Sequence, residues 1–589
     1  MATPRLFGEP PHLEFRPAHS HCPDCRQVLK VKKTHTRLVS TLHVGRFQAT
    51  EVVLTCPTCQ RTYRSEELGQ LVPPGANFGY DVMVYAGQAL WLRCRNEEEV
   101  VAELAQKNVQ ISPREVSLLG RKFIVYLALA HQRRVPALHA DLRTRGGYIC
   151  HLDATCEGGD PFLMSSIDAL SNIVLGNVKL PAEDEAHIVP FLERLRQAFG
   201  VPLALVHDMG AGILKAVAKV FPGVKDFICH FHFLRDIGKD YLGAEYDTLR
   251  KRLSHHGISA TLRYRAKQLK RELDANPVLI AALPHGLEHA ALPAEAVALA
   301  PVVGTYTLIH WALSAKADGD GYGFPFDHPH LAFAQRLQRL NAQLEKIKDL
   351  HLRGQWRDNR PYFKLHIALQ PIMNDKTLWK ALTALEAKIT VFEKLRKALR
   401  IAVPSGPHGL NDEGSPNNIR SLEKRVTAFR TWLTRRKDYP QDRAAQKMID
   451  QIDKYWEKLF ADPITVQTPS GPLLIQPQRT NNILEQFFRN LKRRHRRRTG
   501  NASSGRLLRT ILAETPLVQN LQNLHYMTIL LNGKNSLEEV FADIEIDTLR
   551  HAFREAQIDP QRIPSKLKPI IAMPDFPERF VNMVEKAVA

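Results

Sequence analysis

Long apolar runs are missing from this sequence. The longest, such as Phe123 to Ala130, fall far short of the roughly 18 residues that a membrane-spanning helix needs. The first residues, MATPRLFGEPPHLEF, also contain no apolar segment of the kind that a signal peptide requires. We therefore expect a protein with no membrane partner and no secretion signal.

Cysteine is scarce, with 8 residues in a chain of 589. So few cysteines in so long a chain do not make a disulfide scaffold, and they favour a reducing compartment. No internal repeat is evident. A cytoplasmic, nucleoid-associated location is the simplest expectation.

Acidic residues are too few to balance the basic ones. Lys plus Arg exceeds Asp plus Glu by 81 − 61 = 20, and the sequence pI is near 9.6. An excess of this size favours a polyanionic partner, nucleic acid first and an anionic membrane surface second. With 44% apolar and 24% charged residues, the chain has ample material for buried cores. Its length suggests roughly three or four domains.

Residues 1–72 contain two C-x2-C pairs, and the segment between them alternates as β-strands do. Two such pairs can place four thiolates tetrahedrally around one Zn²⁺. Two disulfides are the alternative, which a reducing compartment disfavours. We expect a zinc ribbon whose filled ligand set serves folding and DNA contact, with these ligands: Cys22, Cys25, Cys56 and Cys59.

Residues 73–145 are predicted to be helical. Two helices, from Tyr80 and Asn96, precede a third that opens at Ser112 with Pro113 at its first position and Glu115 at its third. This order is compatible with a helix-turn-helix that places the third helix in a major groove. The apolar run later in that helix predicts burial, so a plain helical linker is the alternative.

Residues 146–240 read as strands and helices in the order β-β-β-α-β-α-β, which is that of a ribonuclease-H-like core. Asp153 lies near the end of the first strand and Asp208 at the end of the fourth. Because ligand sites favour the carboxyl ends of strands, the two acids are placed to share a metal. Each acid taken alone is equally well explained as a turn or helix-cap residue. Pro190 lies inside the amphipathic pattern of the intervening helix, which therefore kinks there or begins later than the pattern suggests.

Residues 463–533 begin with a predicted hairpin that turns at Pro469-Ser-Gly-Pro and then carry the densest positive charge in the chain, RTNNILEQFFRNLKRRHRRRTG. Glu485 is the isolated carboxylate ahead of that charge. Asn482 and Glu485 fit a capping box, with Asn482 as N-cap, and this competes with a metal-binding role. The basic residues are either a solvated helix face or phosphate contacts: Arg489, Lys492, Arg493, Arg494, Arg496, Arg497 and Arg498.

Residues 241–462 form a long, charged and mostly helical block, with Pro- and Gly-rich loops near 318–329 and 404–416. Residues 534–589 are predicted to be a tail of short helices. The sequence therefore predicts a multidomain α/β protein. Its ribonuclease-H-like mixed sheet is interrupted by a large helical insertion and preceded by a zinc ribbon and a helix-turn-helix-like region.

Three segments resemble the catalytic blocks of DDE transposases of bacterial insertion sequences, in the style of the Mutator-like group: HLDATCEG, VHDMGAGILKAVAKVFPGVKDFICHFH and RTNNILEQFFRNLKRRHRRRTG. The resemblance covers residues 146–240 and 463–530. It implies that Asp153, Asp208 and Glu485 are the catalytic triad and bind Mg²⁺ or Mn²⁺. It also places the family's C-x2-H signature at Cys229 and His232, on the fifth strand, where they would position DNA without binding metal. A packed cysteine and a satisfied histidine are the alternative.

By this resemblance the chain is expected to be a DNA transposase acting on double-stranded DNA, both element ends and target, as a homodimer or higher oligomer. It would bind terminal inverted repeats, cleave the element end and transfer the 3′-hydroxyl by two-metal chemistry. Two other functions remain open. One is a metal-dependent nuclease without strand transfer, and the other is a non-enzymatic regulator derived from a transposase.

Overall fold

A computed structural model of the chain describes residues 9–158, 160–275, 280, 283–284, 287–288, 300–351, 359–401, 419–556 and 567–588. Over these residues the protein is a mixed α/β structure with three sheets and many helices. Among the described helices, not one combines the length and apolarity needed to cross a membrane.

The N-terminal sheet contains β1 (His12–Phe15), β2 (Lys30–Thr41), β3 (Gly45–Thr55) and β4 (Thr62–Tyr63). Its strand order is β1-β3-β2, with β4 also paired to β3. Residues of β3 alternate between buried and exposed along its first half, as expected for a strand with one face against a core. One C-x2-C pair precedes β2 and the other follows β3. Because β2 and β3 pair antiparallel, the two cysteine pairs meet at one end of the sheet.

Four helices follow: Glu66–Leu71, Tyr80–Trp91, Glu97–Ala105 and Pro113–Thr144. The predicted start of the last is confirmed, because the Ser112 side chain accepts a hydrogen bond from the Glu115 N–H and Pro113 occupies the first position. We call this 32-residue element the long helix. Its apolar run Phe123 to Ala130 is mostly buried, as predicted, and the long helix packs against helices from the first 200 residues and from residues 515–556.

The central sheet has the order β7-β6-β5-β8-β9. Its strands are β5 (Ile149–Thr155), β6 (Phe162–Asp168), β7 (Val174–Leu180), β8 (Ala204–His207) and β9 (Lys225–Ile228). β5, β6 and β7 pair antiparallel, whereas β8 and β9 continue parallel to β5. Helices Glu185–Phe199 and Ala211–Val220 connect β7 to β8 and β8 to β9. The element order predicted for this region is confirmed.

Two details of this region differ from expectation. The helix Glu185–Phe199 includes Pro190 in its interior, so of the two alternatives for this helix, a kink or a later start, the later start is wrong. The fifth strand ends at Ile228, and Cys229 is the N-cap of a helix, His230–His255. The prediction that Cys229 and His232 lie on the fifth strand is therefore wrong. The run of apolar residues reads as a strand locally, but Phe233, Ile237 and Tyr241 recur with helical spacing and are buried on one face.

The helical block has a hydrophobic core of its own. The predicted loop near 318–329 is confirmed up to the start of the next helix at Pro329, and the one near 404–416 lies outside the described residues. The α-helices after His230–His255 are Ile258–Asp274, Ala300–Ser314, Pro329–His351, Arg360–Met373, Lys376–Leu399, Ile419–Thr434, Arg443–Lys454 and Trp456–Leu459. Single 3₁₀ turns cover Ala315–Ala317 and Tyr439–Gln441.

The predicted hairpin is confirmed as β10 (Ile464–Thr468) paired antiparallel with β11 (Gly471–Ile475). Val466 and Ile475 of this hairpin pack against Ile149, Val206 and Phe227 of the central sheet. The hairpin thus returns the chain from the helical block to the sheet, immediately before the basic segment.

The basic segment is the helix Asn482–Thr499, which we call the basic helix. It is followed by helices Ser504–Thr510, Leu524–Leu531, Leu537–Ala542, Ile546–Ala556, Lys568–Ile571 and Phe576–Val588, and by a 3₁₀ helix Thr515–Gln522. One hydrophobic core joins the long helix, the central sheet, the basic helix and residues up to Leu549. Phe541 is fully buried there, stacked on Tyr126 with ring centroids 5.1 Å apart.

Replacing Phe541 by alanine should therefore destabilise the central core. We expect a loss of about 3–5 kcal/mol in the free energy of unfolding, the usual cost of removing a buried phenylalanine ring. Urea denaturation followed by circular dichroism measures it. The matched control is Phe580→Ala in the last helix, where the ring is 49% exposed and its loss should change stability little. Equal effects of the two substitutions would contradict a shared core that extends into residues 534–549.

Candidate active site

The four cysteines of the N-terminal sheet lie together. The Sγ–Sγ distances are 3.4 Å for Cys22–Cys59 and Cys25–Cys56, and 3.2 Å for Cys25–Cys59. These are far longer than a disulfide bond, so all four thiols are free and the disulfide alternative is wrong. Tetrahedral zinc would hold the sulfurs about 3.8 Å apart, given Zn–S bonds near 2.3 Å. The predicted ligands can therefore bind one zinc ion.

Both cysteine pairs have the same backbone geometry. In each, the residue after the second cysteine is left-handed, with φ of 59° at Arg26 and at Gln60. The backbone N–H of Arg26 donates to the Cys22 carbonyl and that of Gln60 to the Cys56 carbonyl. The hydrogen bond to Tyr63 holds the pKa of Cys22 down, to about 6, which favours the thiolate that zinc requires.

Asp153 and Asp208 lie side by side at one edge of the central sheet, the edge formed by the carboxyl ends of β5 and β8. β5 and β8 are adjacent and parallel, with His151 opposite Val206, and each acid lies two residues beyond that pair. Asp153 is buried, and its Oδ1 accepts a hydrogen bond from the N–H of Ala154. Asp208 is half-buried, and its Oδ1 accepts one from the N–H of Gly210, which is itself the N-cap of the next helix. This register explains why the two acids lie close together, as expected.

Glu183 is a third acid at this edge, which the sequence did not indicate. Burial and the charge of Asp208 raise its pKa to about 7. A Cβ built on Gly210 would lie 3.2 Å from Asp208 Oδ1 and 3.5 Å from Glu183 Oε1, so both carboxylates reach this glycine. A Cβ at Gly212 would meet the Glu183 carbonyl at 2.4 Å. The two glycines of the turn 210–212 could have indicated that another segment approaches this turn closely.

Glu485 lies in the first turns of the basic helix. The capping box is wrong, because the N-cap is Asn481 and Asn482 is already helical. Asn481 pairs with the central sheet instead, since its Nδ2 donates to the Leu152 carbonyl at 2.8 Å and its Oδ1 contacts His151 Nδ1 at 2.9 Å. These bonds join the start of the basic helix to β5, one residue from Asp153. They bring Glu485 to the edge that carries the two aspartates.

The acids influence one another's charge. The pKa of Asp153 is raised well above its ordinary value, first by burial and then by Asp208, with smaller contributions from Glu485 and Glu183. Burial also raises the pKa of Glu485, while Arg235 and Arg489 counteract this. Carboxylates that repel one another in a buried place are a fitting ligand set for a divalent cation, and their oxygens suit Mg²⁺ or Mn²⁺. Glu485 Oε1 is buried and has no hydrogen-bond partner in the described part of the chain.

Cys229 and His232 lie beside Glu485. His232 Nε2 is 3.7 Å from Glu485 Oε1, and the Cys229 thiol accepts a hydrogen bond from the N–H of Asn481 at 3.3 Å. Burial lowers the pKa of His232 to about 4 and raises that of Cys229 to about 12. Cys229 is thus a packed, hydrogen-bonded thiol, whereas His232 Nδ1 is buried without a hydrogen-bond partner among the described residues.

The ligand atoms of Cys229, His232 and Glu485 all lie within 4.8 Å of one another. Within the described ranges, the four-cysteine group is the other set of three or more that meets this spacing, and the trio Asp153, Asp208 and Glu485 does not. The structure thus brings Glu485 closer to the cysteine and histidine than the resemblance implied.

The basic helix presents its charge unevenly. Arg494 donates to Gln522 Oε1 at 2.8 Å, and the Arg498 guanidinium lies 4.2 Å from the centre of the Trp91 ring. Lys492 is half-buried. Four arginines are exposed: Arg489, Arg493, Arg496 and Arg497. Where the chain is described, none of these seven residues forms an ion pair with a carboxylate.

Arg235 is a further cation at the site that the sequence did not indicate. It lies one turn beyond His232 on the same helix. Its charge adds to the burial that lowers the pKa of His232 and opposes the burial that raises the pKa of Glu485. Its Nε is buried and lacks a hydrogen-bond partner in the described residues. The helical spacing from His232 to Arg235 would have indicated it, had the segment been read as a helix.

No protein-family model and no curated protein matches the chain.

Substituting serine for Cys22 should remove one equivalent of zinc from the chain and unfold the N-terminal sheet. At a structural zinc site the free energy of metal binding also stabilises the fold. Losing a ligand should therefore cost both the zinc ion and the folded sheet. Metal analysis of the full-length protein measures its zinc content. Limited trypsin digestion, followed by the rate of cleavage within residues 9–72, measures unfolding of the sheet. Cys94→Ser, which removes a half-buried thiol outside the cluster, should change neither. Full zinc content in Cys22→Ser would contradict the assignment.

Proposed function

We propose that the protein is a DNA transposase whose active site comprises Asp153, Asp208 and Glu485. The strand order β7-β6-β5-β8-β9, with β6 antiparallel to β5, supports a ribonuclease-H-like core. The observation that carries the proposal is the hydrogen bonding of Asn481 to β5. It brings an acid from a distant part of the sequence to the edge where two strand-end acids already lie.

The chemistry that bound Mg²⁺ or Mn²⁺ supplies at such acids is activation of a water or 3′-hydroxyl and neutralisation of the leaving oxygen. Asp153, Asp208 and Glu485 would hold the cations. Burial and the neighbouring carboxylates raise the pKa of Asp153, and bound cations would relieve the repulsion among these acids. Glu183 would contribute further negative charge from beside Asp208. The hydrogen bond from Ala154 orients the Asp153 carboxylate at the sheet edge.

DNA would be held by the cations around this edge. Burial raises the pKa of Glu485, and Arg235 and Arg489 lie close enough to oppose that rise. These two cations would face a scissile phosphate held at the acids. The exposed Arg493, Arg496 and Arg497 continue along the same helix and would bind phosphates farther away, which positions the duplex without reading its sequence. The zinc ribbon and the exposed residues of the helices that follow it would bind the terminal repeats.

Asparagine at position 153 should abolish DNA cleavage. We expect nicking of supercoiled plasmid in Mn²⁺ to fall by at least about 10³-fold, because a metal ligand that supplies several kcal/mol to the transition state is lost. DNA binding, measured by mobility shift, should be unchanged. The control Asp547→Asn removes a carboxylate whose side chain is 88% exposed and far along the sequence, and it should nick normally.

The same assay distinguishes the other functions. Metal-dependent nicking retained in Asp153→Asn would overturn the proposed site. Wild-type protein that nicks but does not join a pre-cut 3′-hydroxyl end to plasmid is a nuclease. Wild-type protein that binds DNA and never nicks is a regulator.

Glutamine at Arg493, Arg496 and Arg497 should weaken DNA binding in a salt-dependent manner. Each lost phosphate contact reduces the slope of log K against log salt by roughly 0.9 on duplex DNA, so the triple variant should lose about 2–3. Fluorescence anisotropy at several salt concentrations measures the slope. The matched control carries the same loss of three charges on exposed residues elsewhere: Arg550→Gln, Arg554→Gln and Arg579→Gln. Equal slopes for the two variants would show that net charge alone, and not the basic helix, holds the DNA.

A further inference from the structure

Cys229, His232 and Glu485 form a cluster of three different ligand types in one place. Their sulfur, nitrogen and oxygen atoms all lie within 4.8 Å of one another. Cys229 is fully buried, His232 is 8% exposed, and the Glu485 side chain is 21% exposed. The cluster therefore has a buried thiol and is open to solvent on the side of the carboxylate.

The protein holds these ligands together through its own backbone. Cys229 and His232 belong to the start of one helix, and Glu485 comes from a segment more than 250 residues later. Two hydrogen bonds join these segments: the His230 N–H donates to the Arg479 carbonyl at 2.9 Å, and the Asn481 N–H donates to the Cys229 thiol at 3.3 Å. The approach of the three side chains thus depends on contacts outside the cluster.

Two atoms of the cluster lack partners. His232 Nδ1 and Glu485 Oε1 are buried, and neither has a hydrogen-bond donor or acceptor within the described structure. Buried polar atoms are almost always paired, and an unsatisfied one costs about 1–3 kcal/mol. A cation bound between these residues would satisfy Glu485 Oε1, which lies 3.7 Å from His232 Nε2. The unpartnered Glu485 oxygen therefore supports a cation here together with the close approach of the three ligand atoms.

The ligand types indicate which cation would bind. A thiol and an imidazole beside one carboxylate favour Zn²⁺ over Mg²⁺, which prefers oxygen ligands alone. Three protein ligands leave a fourth tetrahedral position for water. This ligand set differs from that of the N-terminal site, where four cysteines fill every position.

We propose that Cys229, His232 and Glu485 form a second zinc site, and that zinc bound there withholds Glu485 from the neighbouring aspartates. The site itself stands on the geometry of the three residues. Its consequence rests on the proposed function, because it assumes that Glu485 serves the catalytic cations. Zinc would then inhibit DNA cleavage by competing for a single carboxylate.

Metal binding tests the site directly. Apo full-length protein is titrated with Zn²⁺ and with Co²⁺ against a competing chelator, and the thiolate–cobalt absorption is recorded. Wild-type protein should bind two equivalents. Cys229→Ser and Glu485→Gln should each bind the second equivalent more than about 100-fold more weakly, since removing a ligand costs more than the 10–100-fold typical of outer-shell changes. Glu485→Gln is isosteric, so it tests the site even where Cys229→Ser does not fold.

Two matched controls should keep both equivalents. Cys156→Ser removes an exposed thiol outside the cluster. Asp208→Asn removes an acid that the proposed catalysis needs and the zinc site does not. Wild-type protein that binds one equivalent, or a second equivalent that survives in both Cys229→Ser and Glu485→Gln, would overturn the proposal.

The plasmid nicking assay with added zinc tests the consequence. Zinc should inhibit wild-type protein at the concentration that fills the second site. In Cys229→Ser, half-inhibition relative to that variant's own zinc-free rate should require at least about tenfold more zinc, following its weaker binding. Unchanged sensitivity would overturn the inhibitory role. Wild-type protein that binds two equivalents and never nicks would refute the transposase and leave the second site standing.

Discussion

The buried side chain of Asn481 is the contact on which the rest of the site depends. Its amide spans from the first residue before the basic helix to His151 and Leu152 of β5, and it is fully buried. This amide stabilises the fold because both its oxygen and its nitrogen are paired. Removing it would leave two buried polar groups unsatisfied, at about 1–3 kcal/mol each. The same residue also donates its backbone N–H to Cys229. One residue thus joins the sheet, the helix of His232 and the basic helix.

The electrostatics of this edge follow from the hydrogen bonds of Asn481. Once the basic helix lies against β5, Glu485 comes near Asp153. Burial raises the pKa of Asp153, and the charges of Asp208, Glu485 and Glu183 raise it further. Arg235 and Arg489 compensate on the side of Glu485. Groups of like charge are brought together at functional sites more often than elsewhere, since their repulsion is relieved when a cation or substrate binds. Glu485 lies between two ligand environments, one of carboxylates and one of thiol and imidazole.

Much of the fold was readable from the sequence where local pattern and tertiary packing agree. The strands from Ile149 to Ile228 are apolar runs bounded by turn residues, and the helix start at Ser112 follows from capping chemistry alone. The four cysteines were identifiable because paired C-x2-C spacing is specific for a metal. The hairpin before the basic helix was indicated by its Pro-Ser-Gly-Pro turn.

The wrong and missing predictions share one cause: contacts between residues far apart in the sequence determined the structure at these positions. The fifth strand ends at Ile228 and a helix begins after Cys229, where the N–H of His230 donates to the carbonyl of Arg479, far along the chain. The local apolar run carries no sign of this contact. The N-cap is Asn481, not Asn482, and the amide side chain pairs with the sheet instead of closing a local box. Glu183 and Arg235 belong to no motif, and their roles arise from proximity across the fold.

The central claim is that Asp153, Asp208 and Glu485 share a divalent cation at the edge of the central sheet. A crystal of the full-length protein soaked in Mn²⁺ and measured at the manganese absorption edge tests it most directly. We expect an anomalous peak roughly 2.1 Å from carboxylate oxygens of both Asp153 and Asp208, with Glu485 turned towards it, because a hard cation prefers oxygen ligands. A chain that leaves those carboxylates without a peak at saturating Mn²⁺ would contradict it.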